Sequence, residues 1–224
     1  MNNLNKTAVV TGISSGIGLA LVKKLLAEKF NVIGTTRSGV LNDFQNDNLE
    51  VIALEATDKD SVTGAIKRIS ELTDGIDLLI NNAGVALDLF DAKPEINTFN
   101  QTIATNITGV VFFTEPLLHT IKDGGKIIFI SSNMGLLKNA DANAPAYRMA
   151  KAAINMYAAM LAKRLAEHKI QVTPVHPGWV QTKLGGDQAP LTPAQSAEGI
   201  YNGIAGKMES GKFYNITIPG TEAF

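Results

Sequence analysis

The sequence predicts an α/β protein in which one doubly wound parallel sheet carries helices on both faces. Short β-branched runs alternate with helical patterns from end to end of the 224 residues, which is typical of a parallel sheet wrapped by helices. Several runs, including Ile127-Ile128-Phe129-Ile130, are continuously apolar, as strands buried on both faces are. No Pro/Gly/Ser-rich linker or internal repeat interrupts the series, so residues 1–224 are interpreted as a single domain.

The predicted strands are short runs rich in β-branched residues. They lie at residues 8–11, 32–36, 51–54, 78–80, 126–130 and 171–175, with a seventh at 213–216. The predicted helices fit between them and lie at residues 17–28, 59–72, 99–121, 147–167 and 193–205. Pro116 removes a backbone donor inside the third of these helices, so the chain should kink or the segment should end there.

Composition argues against several classes of function. The 20 Lys and Arg nearly balance the 21 Asp and Glu, and the net charge of −1 indicates no basic face for nucleic acid. The absence of cysteine excludes disulfides, thiolate catalysis and cysteine metal sites. The three histidines, His119, His168 and His176, are far apart in sequence with no metal-ligand spacing, so we expect no bound metal.

The expected location is the cytoplasm. The N-terminal residues run into a short strand signal without the apolar stretch of a signal peptide. No uninterrupted apolar stretch approaches membrane-spanning length, so no membrane partner is expected.

A Gly-rich turn joins the first strand to the first helix. Gly12, Gly16 and Gly18 stand in Thr11-Gly12-Ile13-Ser14-Ser15-Gly16-Ile17-Gly18. Glycines at such a turn allow a tight bend, close approach of a pyrophosphate to the backbone, and close packing of helix on strand. The helix N-terminus offers free N–H groups and a positive dipole end to phosphates. This turn predicts a Rossmann-like dinucleotide site.

The end of the second strand indicates which dinucleotide binds. An acidic residue near this point binds the adenosine ribose in NAD-selective sites, and a 2′-phosphate needs a cation instead. Here Thr36-Arg37-Ser38 contains no acid, and the Arg37 guanidinium suits a phosphate. The sequence therefore favours NADP over NAD; the alternative is an Arg37 that stacks on adenine or faces solvent.

Tyr147 and Lys151 are an i,i+4 pair, so in a helix they share one face. A phenol has a pKa of roughly 10, and proton transfer near neutral pH needs a decrease of about 3 units. One cation at about 4 Å in an effective dielectric of about 20 supplies roughly 4 kcal/mol, which is about that decrease. The pair therefore predicts a phenol with a lowered pKa that exchanges protons with a substrate.

Four further motifs stand later in the chain, three of them at the ends of predicted strands. They are Asn81-Asn82-Ala83-Gly84, Thr105-Asn106-Ile107-Thr108-Gly109, Ser131-Ser132 and Pro177-Gly178-Trp179-Val180-Gln181-Thr182. With the Gly-rich turn and the Tyr147 pair, these motifs stand in the order of the short-chain dehydrogenase/reductase family, which the chain resembles over essentially its whole length. The stretches after Ser131 and Pro177 resemble the small carbonyl-reductase and C-factor-like branch.

The resemblance implies an NADP(H)-dependent oxidoreductase that transfers a hydride between nicotinamide and a carbonyl or alcohol. It implies that Ser132 binds the substrate oxygen, Tyr147 transfers the proton, Lys151 binds the nicotinamide ribose and tunes Tyr147, and Asn106 holds a water in the proton relay. It places the cofactor against Gly12, Ser14, Ser15, Gly16, Ile17, Gly18, Arg37, Asn82, Ala83, Gly84, Tyr147, Lys151, Pro177, Gly178, Val180 and Thr182.

Two assignments stay open at this point. The interval from Ser132 to Tyr147 is about two residues longer than is common in the family, so Ser131 competes with Ser132, which is favoured. Glu55 stands where the family usually has an Asp that meets the adenine amine, and Asp58 competes with it. His176 precedes Pro177 and is interpreted as structural.

The resemblance also bears on partners and on the alternative function. It implies a homodimer or homotetramer, and the helices at 99–121 and 147–167 carry apolar residues on more than one face. The segment from Thr182 to Pro193 is short, so an open pocket for small apolar carbonyl or alcohol substrates is expected. The alternative is a signalling or regulatory protein that binds the nucleotide on this fold without important turnover, because a fold does not fix a function.

Overall fold

The computed structural model describes residues 6–218 and 220–222. The strands in chain order are β1 Thr7–Val10, β2 Asn31–Thr36, β3 Leu49–Ala53, β4 Ile76–Asn81, β5 Ile121–Ile130, β6 Gln171–His176, β7 Phe213–Asn215 and β8 Gly220–Glu222. The α-helices are α1 Gly16–Ala27, α2 Lys59–Leu72, α3 Ile96–Ile103, α4 Val110–Leu117, α5 Pro145–Arg164 and α6 Pro193–Asn202.

The strands form one sheet in the order β3-β2-β1-β4-β5-β6-β7-β8. All neighbouring pairs from β3 to β7 are parallel, and β8 pairs with β7 in the antiparallel sense. The predicted doubly wound parallel sheet is confirmed. The chain order reverses direction at β1 and β4, and ligands of such sheets bind outside the carboxyl ends of the strands at that point.

Alternate residues of the central strands pack on opposite faces of the sheet. Val9 and Ile127 face a cluster that includes buried residues of α2, α4 and α5, such as Ile69, Phe113 and Leu161. Their neighbours Val10 and Ile128 face a second cluster that includes buried residues of α1 and α6, namely Leu21, Val22, Leu25, Ala197 and Ile200. A strand alternates its side chains, so a central strand needs apolar residues at every position to cover both faces.

The prediction of one continuous helix at residues 99–121 is wrong. The chain forms α3, then a π-helical turn at Ala104–Gly109, then α4, and then a 3₁₀ turn at Leu118–Thr120. The α-helix ends one residue after Pro116, which has no N–H to donate to the Phe112 carbonyl one turn earlier. A Cβ on Gly109 would lie 2.5 Å from the Ala56 carbonyl oxygen, so only glycine allows this close packing of the π-helical turn on the loop after β3.

Two strand predictions also differ from the structure. β5 begins at Ile121, five residues before the predicted start, and its pairing with β4 shifts register between Ile76 and Leu78. β8 was not predicted, because its three residues, Gly-Thr-Glu, carry no apolar pattern.

Candidate active site

The Gly-rich turn forms a cradle at the carboxyl end of β1. Gly12 and Gly16 adopt positive φ angles of 71° and 57°. A Cβ on Gly18 would lie 2.2 Å from the Gly12 carbonyl oxygen, so the helix could not approach the strand with any larger residue. Ser15 at the N-cap of α1 makes no side-chain capping bond, and the first turn has no acidic residue. The turn therefore presents helix N–H groups to an anion, as a pyrophosphate site requires.

The segment after β4 braces this cradle. The Asn82 carboxamide donates to the backbone oxygens of Thr11 (2.8 Å) and Gly12 (3.0 Å). The Thr11 hydroxyl accepts the backbone N–H groups of Asn82 and Ala83. Asn82 thus holds the Gly-rich turn through its side chain, and Ala83 and Gly84 present backbone beside it. Thr11 was not singled out from the sequence, although it is the hydroxyl residue that directly follows β1.

Arg37 lies exposed beyond the end of β2 and has no hydrogen bond or ion pair with the part of the chain that the structure describes. Its guanidinium is therefore available to a phosphate. Thr36 is not similarly available, because its hydroxyl donates to the Val40 oxygen and accepts the Val40 N–H, each at 3.1 Å.

The candidates after β3 both have structural partners. The Asp58 carboxylate caps α2 by accepting the Ser61 N–H at 2.6 Å. Glu55 Oε1 accepts from the hydroxyl and the N–H of Thr57. Each carboxylate uses one oxygen in these bonds, Oε1 of Glu55 and Oδ1 of Asp58, so both residues stay candidates for the adenine contact.

The loop after β6 reaches the Gly-rich turn. A Cβ on Gly16 would lie 3.0 Å from the Thr182 methyl carbon, so Thr182 packs directly on the cradle. Pro177 is buried and its carbonyl accepts the Ser196 hydroxyl at 2.7 Å. Gly178 has φ 79°, and the buried Val180 bridges to Leu191. Residues separated by more than 160 positions therefore line one site at the carboxyl edge of the sheet.

Tyr147 and Lys151 lie in the first and second turns of α5, and both are buried at 7% exposure. The Lys151 ammonium lies 5.5 Å from the centre of the Tyr147 ring and donates to the Ile130 carbonyl oxygen at 2.8 Å. A Cβ on Gly84 would lie 3.7 Å from the Lys151 nitrogen. The predicted shared face exists, and it points toward the backbone after β4.

Burial governs the protonation of this pair. Loss of solvent raises the pKa of the Tyr147 phenol to about 12, although a hydrogen bond with Ser132 opposes the rise. Loss of solvent also lowers the pKa of the Lys151 ammonium to about 8. The expected lowering of the Tyr147 pKa is wrong for the protein alone, because desolvation is the largest effect on the phenol. At neutral pH the phenol keeps its proton and is a proton donor.

The two serines after β5 have different partners. The Ser131 hydroxyl donates to the Asn155 side-chain oxygen at 2.6 Å, and Asn155 in turn donates to the Gly135 backbone at 3.3 Å, all within the core. The Ser132 hydroxyl accepts the Met134 N–H and reaches Tyr147. Ser131 is thus committed to holding α5, and Ser132 is the serine that faces the phenol.

Asn106 is buried in the π-helical turn, and its amide pairs twice with Val85. Its nitrogen donates to the Val85 oxygen at 2.7 Å, and its oxygen accepts the Val85 N–H at 2.8 Å. A Cβ on Gly84 would lie 3.1 Å from the same Asn106 oxygen. Asn106 and Lys151 therefore border the same short stretch of backbone. A role of Asn106 in a water relay stays a prediction.

Two residues around Tyr147 were missed in the sequence. The buried Asp88 carboxylate accepts N–H groups at the start of α5. Arg148 donates to backbone oxygens of Asn139 and Asn143, each at 2.8 Å, and so holds the segment between Ser132 and Tyr147. The hydrogen-bond partners of these two residues could not be read from the spacing of the sequence. Asp88, for example, lies 58 positions before Ala146, whose N–H it accepts.

His176 lies at the end of β6, buried, and its Nδ1 atom has no hydrogen-bond partner among the described residues. Burial lowers the pKa of its imidazole to about 4, against a weaker opposite effect of the Glu222 charge. The imidazole is therefore neutral at physiological pH.

Among residues 6–218 and 220–222, no helix is both long and apolar enough to cross a bilayer. Within the same residues, no cluster of three acidic or histidine side chains offers a metal site.

Comparison with known proteins places this arrangement in a family. The model of the short chain dehydrogenase family matches residues 6–190. The chain is 30% identical over 214 residues to the 3-oxoacyl-(acyl-carrier-protein) reductase FabG of Vibrio harveyi, which covers 93% of this chain and 86% of that protein.

Solved structures have the same fold over the whole length. The NADPH-bound carbonyl reductase from chicken fatty liver superimposes with a TM-score of 0.87 and 27% identity, covering 100% of this chain and 96% of that one. The carbonyl reductase Sniffer of D. melanogaster superimposes with a TM-score of 0.87 and 26% identity, covering 99% of this chain and 100% of that one.

Proposed function

Since the chain belongs to the short-chain dehydrogenase family, we propose that it is an NADP(H)-dependent oxidoreductase acting on carbonyl and alcohol groups. The observation that carries the proposal is the buried Tyr147 phenol, which lies beside Ser132 and Lys151 on the side of α5 that faces the cofactor-binding backbone. A protonated phenol next to a hydroxyl donor is the arrangement that a developing alkoxide needs.

The residues of the site have separate tasks in carbonyl reduction. A bound nicotinamide supplies the hydride. Ser132 donates a hydrogen bond to the substrate oxygen, and Tyr147 gives that oxygen its proton. Lys151 places a positive charge against the Tyr147 ring, which favours the phenolate that remains after proton transfer. In the direction of alcohol oxidation the same phenol must first lose its proton.

The cofactor fits the residues present. Gly12, Gly16 and Gly18 leave the space that side chains would fill, and the uncapped α1 N-terminus faces it. The exposed guanidinium of Arg37 suits a 2′-phosphate, which favours NADP(H) over NAD(H). The chicken carbonyl reductase with the same fold was solved with NADPH bound. Lys151 would contact the nicotinamide ribose, and Thr182 would border the nicotinamide.

The substrate we propose is a small apolar aldehyde or activated ketone. The loop after β6 is tied to itself, because the Trp179 indole donates to the Gly185 oxygen at 2.7 Å and Thr182 accepts the Gly185 N–H at 3.1 Å. Such a loop is a fixed rim and not a closing lid. Trp179 and Leu184 in this loop, and Leu137 in the segment between β5 and α5, are exposed apolar side chains. An open apolar site discriminates weakly, since each methylene contributes only about 1–3 kcal/mol.

We also propose that residues 1–224 act as one domain in a cytoplasmic homodimer or homotetramer. Met149, Met156 and Met160 form an exposed apolar stripe on α5, and Phe112 is 64% exposed on the adjacent α4. Such stripes on monomers mark interaction surfaces.

The alternative to an oxidoreductase is a regulatory nucleotide-binding protein. The arrangement of Ser132, Tyr147 and Lys151 disfavours it, because binding alone does not need a proton donor.

The test is a panel of small aldehydes, ketones, diketones and a 3-oxoacyl thioester, each assayed by oxidation of NADPH and, in parallel, of NADH. We expect modest kcat/KM values spread over several aldehydes and activated ketones, with NADPH preferred. Tyr147→Phe should lower kcat about 10²–10⁴-fold while leaving NADPH affinity nearly unchanged, because the ring still packs but carries no proton. NADPH binding without turnover of any compound would favour the regulatory alternative. A preference above about 10⁴-fold for one substrate would contradict the open site.

A further inference from the structure

The first turn of α5 contains backbone donors that the helix cannot satisfy by itself, as the first N–H groups of any helix do. The N-cap residue Ala144 has no side-chain acceptor and adopts a positive φ of 53°, and Pro145 has no N–H. The Arg148 N–H makes the first bond back to the Ala144 oxygen, at 2.9 Å. The N–H groups of Ala146 and Tyr147 remain, and both need an acceptor from elsewhere.

Asp88 provides that acceptor from the segment after β4. Its Oδ2 accepts the Ala146 N–H at 2.6 Å, and its Oδ1 accepts the Tyr147 N–H at 3.3 Å. The residue is 2% exposed, so these bonds are formed away from water. A carboxylate at a helix N-terminus also meets the positive end of the helix dipole. The cap of the helix that carries Tyr147 therefore comes from a residue 58 positions earlier.

The segment that contains Asp88 is fastened to the start of α5 at further points. The Ala144 N–H donates to the Asp91 oxygen at 2.9 Å, and the Asn143 amide donates to the Leu89 oxygen at 3.1 Å. The same segment begins at Asn82, which braces the Gly-rich turn. One stretch of chain thus connects the phosphate cradle with the backbone of the proton donor.

We propose that Asp88 is a positioning residue of the reaction: its carboxylate fixes the first turn of α5 and thereby the aim of the Tyr147 phenol relative to the cofactor-binding backbone. The proposal rests on the proposed function, in which Tyr147 gives the proton. Asp88 takes no part in proton transfer. A misplacement of about 1 Å in a catalytic group can lower the rate about 10²-fold, so the loss of this cap should appear in kcat.

The test compares Asp88→Ala and Asp88→Asn with Glu95→Ala. Glu95 is a matched control, because it also accepts two helix N–H groups, those of Asn97 and Thr98 at the start of α3, but at an exposed position. Three quantities are measured below the melting temperature of each variant: kcat with NADPH and 4-nitrobenzaldehyde, the Kd of NADPH by fluorescence, and amide hydrogen exchange at residues 146–148.

We expect Asp88→Ala to lower kcat about 10- to 100-fold, with the Kd of NADPH changed less than about threefold and faster exchange at residues 146–148. Asp88→Asn should recover part of kcat, because its amide oxygen can still accept one N–H. Glu95→Ala should leave kcat unchanged. The value of kcat should therefore fall from wild type to Asp88→Asn and further to Asp88→Ala. A cap that only stabilised the fold would not produce this gradation.

Wild-type kcat in a folded Asp88→Ala would overturn the proposal, and so would unchanged exchange at residues 146–148 in both Asp88 variants. If Asp88→Ala does not fold, Asp88→Asn decides, and wild-type kcat in that variant overturns the proposal. A wild-type protein that reduces no carbonyl compound would instead contradict the proposed function, and the exchange measurement would still test the cap.

Discussion

At the scale of single residues, the site depends on charges and protons that are held away from water. Lys151 is 7% exposed, and its ammonium has one backbone acceptor, the Ile130 oxygen. Burial of a charged group with few partners is unfavourable, and its pKa falls for that reason. A hydroxyl or phosphate group of a bound nucleotide beside Lys151 would restore partners to the ammonium. We therefore expect cofactor binding and proton transfer to be coupled through this residue.

Arg37 offers a direct test of cofactor choice. Arg37→Asp removes a charge-assisted contact of about 1.5–3 kcal/mol and introduces repulsion. We expect kcat/KM with NADPH to fall at least about 10-fold more than with NADH. Lys67→Glu is the control, since Lys67 is an exposed cation on α2 and its reversal changes only the overall charge. Equal changes in kcat/KM for NADPH and NADH in Arg37→Asp would show that Arg37 does not bind the 2′-phosphate.

His176 predicts a dependence of stability on pH. Its pKa is about 4 in the folded protein and about 6.5 when exposed, so the unfolded chain binds the proton more readily between these values. The stabilising contribution is complete above about pH 6.5 and is lost as the pH falls toward 4. At about 1.4 kcal/mol per pH unit, wild type should lose roughly 2 kcal/mol of unfolding free energy between pH 7 and 5.

Urea unfolding at pH 7 and pH 5 measures this loss. His176→Gln removes the titrating group, so its unfolding free energy should change little over the same interval even if it is lower at pH 7. Equal losses in wild type and His176→Gln would show that other groups cause the acid sensitivity.

At the scale of elements, the segment between β5 and α5 is held by a residue of the helix. Arg148 donates through its guanidinium to Asn139, Asn143 and Met134, and its Nη2 bond to the Asn143 side chain is 2.8 Å long. The segment is otherwise composed of two short 3₁₀ turns, Asn133–Gly135 and Leu137–Asn139. Its position over the site therefore depends on side-chain bonds and not on continuous secondary structure.

Arg148→Met should release this segment. We expect KM for aldehydes to rise about 10-fold, corresponding to about 1.4 kcal/mol, with a smaller change in kcat, because Tyr147 is held separately by Asp88. Hydrogen exchange at residues 133–143 should become faster. Arg164→Met is the control, since Arg164 lies in the last turn of the same helix and pairs with Glu115. An unchanged KM in Arg148→Met would show that the segment needs no such support.

At the scale of the whole molecule, the sheet is covered on both faces, and the outer surface of α4 and α5 exposes large apolar side chains. α4 and α5 cover one face, and they contact each other through Glu115, which accepts from Tyr157 (2.8 Å) and Arg164. Their outer surface keeps the apolar stripe of α5 together with Phe112. The inner face of α5 carries Tyr147 and Lys151. Association through the outer face would therefore restrict the movement of the helix that carries these two residues.

The expected assembly is tested by light scattering. Wild type should have a mass of two or four times 23.8 kDa at micromolar concentration. Met156→Glu combined with Phe112→Glu should shift the mass to that of one chain, because two charges would be buried without partners. Val40→Glu is the control, since Val40 is 55% exposed in the loop after β2. A wild-type protein that is monomeric throughout would contradict the assembly.

The sequence by itself determined the elements whose pattern is local. The order of strands and helices, the Gly-rich turn after β1 and the shared face of Tyr147 and Lys151 follow from periodicities of two and 3.6 residues and from the steric freedom of glycine. These features depend on neighbours within a few positions of the chain. The π-helical turn at Ala104–Gly109 has no such local pattern and was missed.

Only the tertiary structure decided which side chains already have hydrogen-bond partners in the core and which face the site. Ser131 is bound to Asn155, and Ser132 faces Tyr147. The pKa of Tyr147 lies at about 12 because of the residues that pack around it. Asp88 caps α5 from 58 positions away. Burial, local dielectric and hydrogen-bond partners depend on contacts between distant parts of the chain, and spacing along a sequence carries no information about which distant groups will meet.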